Sequence, residues 1–105
     1  MATTQELEIM QLIANAGESK TKAFEALAAV KTRDFDRARN LLAESKEIDV
    51  AAHNAQTAMI SREFDPDHTP EPVNLLMVHA QDHYMTSQLA RDLIETMIDI
   101  FESRA

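Results

Sequence analysis

Apolar and small residues recur at intervals of three and four along three long stretches of the chain, and no stretch alternates strictly in the manner of a strand. The first stretch opens on a capping box, Thr3 with Glu6 three residues on. It carries Ile9, Ile13, Ala16, Ala23, Phe24, Leu27 and Val30, which predicts a helix reaching about Thr32. Gly17 falls inside it at a cost of about 1 kcal/mol relative to alanine. That cost is tolerable where a neighbouring helix packs close to the backbone beside Ala14 and Ala16, with a kink as the alternative. The second stretch starts at Asp34, a good N-cap, and places Ala38, Leu41, Ser45, Ile48, Ala52, Ala55 and Met59 on one face. All three prolines then gather between Asp65 and Pro72, which marks a loop. A third helix is predicted from about Val73 to Ser103.

Helices of roughly 30 residues are about 45 Å long, and short connections make consecutive ones antiparallel neighbours. The expected fold is all-α, an elongated antiparallel three-helix bundle in which residues 1–105 form a single domain. Such a thin rod has a poor ratio of core to surface, and apolar residues occupy more than one face of the first and third helices. Self-association is therefore expected.

Composition narrows the chemistry. With one glycine, Gly-rich phosphate loops, dinucleotide fingerprints and nucleophile elbows cannot be built, and with no cysteine there is no thiolate nucleophile and no Cys-built metal site. The net charge is −8, and Asp34 and Asp36 interleave with the one close trio of cations, Arg33, Arg37 and Arg39. That argues against nucleic-acid binding. The longest apolar run, Ala26 to Val30, is five residues, and the opening Met-Ala-Thr-Thr-Gln-Glu lacks the basic start of a signal peptide, so neither export nor anchoring is expected.

One irregularity carries chemistry. The third helix, followed in steps of three and four, reads Leu75, His79, Asp82, Thr86, Leu89, Leu93, Met97, Ile100. His79 and Asp82 thus project from what the pattern presents as the packing face, with His83 one turn from His79, and burying such groups is costly unless they are paired, coordinated or functional. Three readings are open at this point. The residues are satisfied polar groups fixing the register of a bundle interface. Alternatively, His79 and His83 at i and i+4, with Asp82 between them, belong to a transition-metal site whose other ligands lie elsewhere. In the third reading a histidine is a nucleophile, since a neutral imidazole nitrogen can accept a phosphoryl group.

The same helix carries Val78-His79-Ala80-Gln81-Asp82-His83-Tyr84-Met85-Thr86. This closely resembles the Val-His-Ala-Gln-Asp-His-Leu-Met-Thr signature of the lactose/cellobiose-type enzyme IIA of the phosphoenolpyruvate-dependent sugar phosphotransferase system. Two further stretches are similar to the family, Ala14 to Ala23 around Asn15-Ala16-Gly17, and Ala52-His53-Asn54-Ala55-Gln56-Thr57. They fall one per helix, so the joint match spans nearly the whole chain.

The resemblance implies a cytoplasmic phosphocarrier built as a homotrimer. His79 would take a phosphoryl group from phosphorylated HPr and pass it to a cysteine of the IIB component, through which the IIC membrane permease phosphorylates an incoming disaccharide. Lactose, cellobiose and chitobiose all stay open, because no sugar is bound by this component. Asp82 falls on the family's metal-binding aspartate, one from each subunit near the three-fold axis. Three carboxylates there would repel by about 4 kcal/mol per pair, roughly 12 kcal/mol in all, at an effective dielectric near 20. A shared hard cation, one Mg²⁺ per trimer, answers this, and protonation of one carboxyl is the other way out. Gln81 and His83 are expected to support His79, by hydrogen-bonding the phosphoryl oxygens or a docked partner. His53 and Asn54 are expected to make helix–helix hydrogen bonds, His68 to be solvated, and Tyr84, where the family commonly has leucine, to need a partner for its hydroxyl. The alternative to a carrier is a non-catalytic helical scaffold or a metal-binding bundle.

Overall fold

The computed structural model describes residues 2–105, and among them the only regular elements are three helices: α1 (Thr4–Val30), α2 (Phe35–Glu63) and α3 (Leu75–Ser103). The starts follow the sequence's capping signals. Thr3 Oγ1 accepts from the Glu6 amide at 3.1 Å and Asp34 Oδ1 from the Arg37 amide at 3.2 Å. α3 begins two residues later than the pattern predicts, because Asn74 rather than the proline loop supplies its cap, accepting from the Met77 amide at 2.9 Å. α1 ends two residues short of Thr32. There Arg33 adopts φ 59° while the Asp34 and Arg33 amides reach back to Ala29 and Val30, closing the helix with a left-handed residue.

The helices run up, down and up in a rod with extents of 55 × 28 × 19 Å. α1 is the shared partner: α2 and α3 each pack more closely on it than on one another. Two apolar layers result. One joins Ile9 and Leu12 to Ala52, Met59, Ala80 and Tyr84; the other joins Ala23, Ala26 and Ala29 to Leu41, Leu42, Ile94 and Ile98. Between them Ser19, Ser45 and Ser87 are fully buried. Ser19 Oγ donates to the Ser45 carbonyl at 2.8 Å and Ser45 Oγ to the Ser19 carbonyl at 2.6 Å. The small side chains let α1 and α2 approach, and the reciprocal bonds satisfy the Ser19 and Ser45 hydroxyls, which would otherwise be costly to bury, whereas Ser87 Oγ has no hydrogen-bond partner.

Three sequence expectations are corrected here. Phe24, assigned to the inner face of α1, is half exposed, because Ala23 and Ala26 occupy the inner register beside it. Gly17 is not a point of close helix approach: a methyl group added there would meet nothing within 4 Å. The third correction matters most. The stripe from Leu75 through His79, Asp82, Thr86 and Leu89 to Ile100 does not pack inside the subunit; it faces outward, with Leu89 59% and Leu93 51% exposed. The buried register of α3 is Ala80, Tyr84, Ser87, Ile94 and Ile98, whose smaller residues allow α3 to lie close on α1.

The seam between α2 and α3 is bridged by long polar side chains along its length. From one end to the other it is tied by Arg39 with Asp99 and Glu102, Lys46 with Glu95, Asp49 with Arg91, His53 with Tyr84, and Gln56 with Gln81. The pair Asp49–Arg91 is nearly enclosed at 3.0 Å. It is held by charge rather than by bond alignment, since neither Asp49 Oδ1 nor Arg91 Nη1 has a hydrogen-bond partner.

Candidate functional site

His79 and His83 lie one turn apart near the start of α3, and their rings meet edge to face with centroids 4.5 Å apart and planes at 88°. The helix fixes this: residues at i and i+4 share a face. His79 is exposed and its imidazole reaches solvent, whereas His83 is half-buried, and its Nδ1 is enclosed without a hydrogen-bond partner. Asp82 is also exposed and has no ion-pair partner among the described residues, so its carboxylate is available to a second body. Thr86 leans back along the helix, its hydroxyl donating to the Asp82 carbonyl at 2.6 Å.

Gln81 stands apart from this face. Two residues from His79 is about 200° around a helix, and the Gln81 amide points to α2. It accepts from Gln56 Nε2 at 2.6 Å and donates to Gln56 Oε1 at 2.8 Å. Its own face and the outward one meet in a groove of about 470 Å³ between α2 and α3, floored by the first turns of α1 and lined by Gln56, Met59, Met77, Val78, Gln81 and Asp82. His68, expected to be solvated, is half-buried against this groove.

Tyr84 finds two partners for its hydroxyl, His53 Nδ1 at 3.1 Å and the Gln88 amide, which donates at 2.8 Å. Burial pushes the phenol's pKa above its ordinary value; the Asp49 carboxylate pushes the same way and Arg91 opposes it. The expected interhelical bond of His53 is thus present, while Asn54 stays exposed. No three His, Cys, Asp or Glu side chains converge as a metal cage among the described residues. His79, Asp82 and His83 therefore do not assemble a metal site within one chain.

Sequence reasoning had no role for Gln56. Its only signal was its place in the stretch Ala52 to Thr57, three residues after His53, the spacing that puts both on one helix face.

The fold and the site define a class: an all-helical bundle presenting a histidine pair and a free carboxylate from one exposed helix face. Residues 7–102 match the family described as PTS system, lactose/cellobiose specific IIA subunit, and the chain belongs to that family. It is 41% identical over 100 residues to the N,N'-diacetylchitobiose-specific EIIA component of Escherichia coli K12, covering 93% of this chain and 84% of that protein. Among solved structures it resembles the PTS cellobiose specific enzyme IIA from Bacillus anthracis, with a TM-score of 0.90 and 33% identity over 98% of this chain and 93% of that one. It also resembles the IIA subunit solved in complex with HPr from the diacetylchitobiose branch of the Escherichia coli phosphotransferase system. There the TM-score is 0.79 at 38% identity, covering 97% of each chain.

Proposed function

We propose that this IIA component is a phosphocarrier whose transient acceptor is His79. The observation that carries the reading is the exposed imidazole of His79 on α3, set edge-on to His83 within a sequence that matches the family signature. A lone pair on a neutral His79 nitrogen attacks the phosphorus of phosphohistidine on HPr. The new P–N bond forms as the old one breaks, and the electron pair returns to the donor imidazole. In the second step the P–N bond at His79 breaks in turn as a thiolate of the IIB component forms a P–S bond.

Exposure of His79 in the subunit supports this reading, because both donor and acceptor must reach the same nitrogen in turn, and His79 lies about 60° around α3 from Asp82, at the flank of the line proposed below as the trimer seam. The IIA relative solved with HPr supports the same first partner here. His83 supports His79 by limiting the ring orientations open to it. The proposal extends, on the family resemblance, to a downstream IIC permease, a disaccharide cargo and a cytoplasmic location.

The outward stripe of α3 gives the proposed homotrimer its interface. Leu75, Leu89, Leu93, Met97 and Ile100 are large apolar residues exposed along one line. A three-fold axis along that line would bring three copies of Asp82 together. One carboxylate per chain, unpaired and exposed, fits a hard divalent cation shared by symmetry, and Mg²⁺ would supply charge neutralisation there rather than chemistry.

The test is intact-mass analysis after incubation with phosphoenolpyruvate, enzyme I and HPr. One acid-labile phosphoryl group is expected on the wild type and none on His79→Ala. Equal labelling of both proteins, or labelling of neither while folded, would overturn the assignment and leave a helical scaffold.

A further inference from the structure

The stretch Ala52 to Thr57 is shared with the family, yet the relay leaves it without a task. Its two polar residues with partners, His53 and Gln56, face α3 one turn apart, and they grip the two signature residues that point inward, Tyr84 and Gln81. The signature thus divides between two sides of the helix: His79, Asp82 and His83 belong to the outward side, while Gln81 and Tyr84 are tied to α2.

A helix packed by an apolar ridge on a single neighbour can roll about its own axis, because such contacts are non-directional. Within the subunit α3 rests chiefly on α1; near the site its buried register is Ala80, Tyr84 and Ser87, a close but largely apolar contact, and the outward stripe proposed for the trimer seam is likewise apolar and non-directional. A roll of about 15° would carry a side-chain tip 5–6 Å from the axis through about 1.5 Å. A displacement of 1 Å costs a positioned reaction as much as about 100-fold. A second line of contact stops the roll, and hydrogen bonds supply it with direction.

At the distal end of the seam the ties are charged pairs, most of them exposed and screened by salt. Beside the site they are hydrogen bonds rather than ion pairs. The Gln56–Gln81 amides exchange two bonds, and the Tyr84 hydroxyl links His53 to Gln88. Two reciprocal amide bonds fix both distance and rotation.

We infer that Gln56 and His53 are positioning residues that lock the rotation of α3, so that His79 meets its phosphoryl donor in line. They act through Gln81 and Tyr84 and touch neither the donor nor the transferred group. The inference rests on the phosphocarrier reading, and the experiment separates the two.

The test compares transfer kinetics from phosphorylated HPr in wild type, Gln56→Met and Gln56→Glu, each normalised to folded protein by circular dichroism. Gln56→Met keeps side-chain length and removes both bonds; kcat is expected to fall about 10-fold while KM for phosphorylated HPr stays within about 2-fold. Gln56→Glu keeps an acceptor for the Gln81 amide and is expected to recover most of the loss. Tyr84→Phe removes only the hydroxyl that joins His53 to α3, so it folds even if Gln56→Met does not, and kcat is expected to fall there too. Unchanged kcat per folded molecule in Gln56→Met and Tyr84→Phe, with lowered thermal stability only, would reduce the ties to ordinary packing and overturn the inference. So would a Gln56→Glu variant no faster than Gln56→Met. Absence of transfer in the wild type would instead overturn the phosphocarrier reading, and the positioning role with it.

Discussion

Tyr84 shows how one side chain joins stability to the site. Its ring completes the apolar layer with Ile9, Leu12 and Ala52, while its hydroxyl holds His53 and Gln88. Because burial favours the neutral phenol, its pKa in the folded chain lies above that in the unfolded chain. The sign follows from proton linkage. Below the unfolded value of about 10 the contribution is fully present, and it is lost as pH rises through the higher folded value. The chain has one tyrosine and no tryptophan, so the tyrosinate absorbance band reports this group alone. The native protein is expected to titrate at higher pH than the urea-unfolded chain, and Tyr84→Phe to flatten the alkaline fall in stability. Coincident titration curves in native and unfolded protein would contradict the burial account. The need for a hydroxyl partner was legible in the sequence; that His53 would be that partner was not, since 31 residues separate them.

Among the elements, α1 and α2 were read nearly correctly, including the capping residues Thr3 and Asp34 and the inner face from Ala38 to Met59. α2 has one dominant apolar face against neighbours that cover it, while α1 carries apolar residues on a second face as well, which is where Phe24 was misplaced and where Leu7 and Met10 stay exposed. α3 carries two candidate faces, and periodicity ranks them by hydrophobicity, which selects the outward one. The inner register with Ala80 and Ser87 looks weaker on that scale but packs closer. Gly17 was misread for a related reason: the flanking alanines suggested close approach, yet the surrounding space is open. It therefore lowers helix propensity with no steric return inside the subunit. Gly17→Ala is expected to stabilise the folded chain by about 1 kcal/mol, measured as a rise in the urea midpoint at constant m-value. Destabilisation would mean that another body approaches the α1 backbone at that point.

At the scale of the whole molecule, the rod exposes an apolar line along α3 that a monomer has no use for. Sedimentation equilibrium is expected to give three times the chain mass. Leu89→Glu with Leu93→Glu should shift the particle to monomer while preserving helicity. Chelation of divalent cations should weaken the assembly, and Asp82→Ala should abolish that metal dependence, since the carboxylates and their repulsion vanish together. A wild type that stays monomeric at high concentration with Mg²⁺ present would refute the proposed axis.

The order of helices, most of their boundaries, the acceptor candidate and the family were all present in the linear pattern, because caps, prolines, periodicity and a signature within one helix are local properties. Which face of α3 points outward, and that Gln56 grips Gln81 across the α2–α3 seam, were decided only in three dimensions. Periodicity describes a helix against an unspecified neighbour. The neighbour itself is set by packing among residues far apart in sequence, and there the close fit of small side chains outweighed the more hydrophobic stripe.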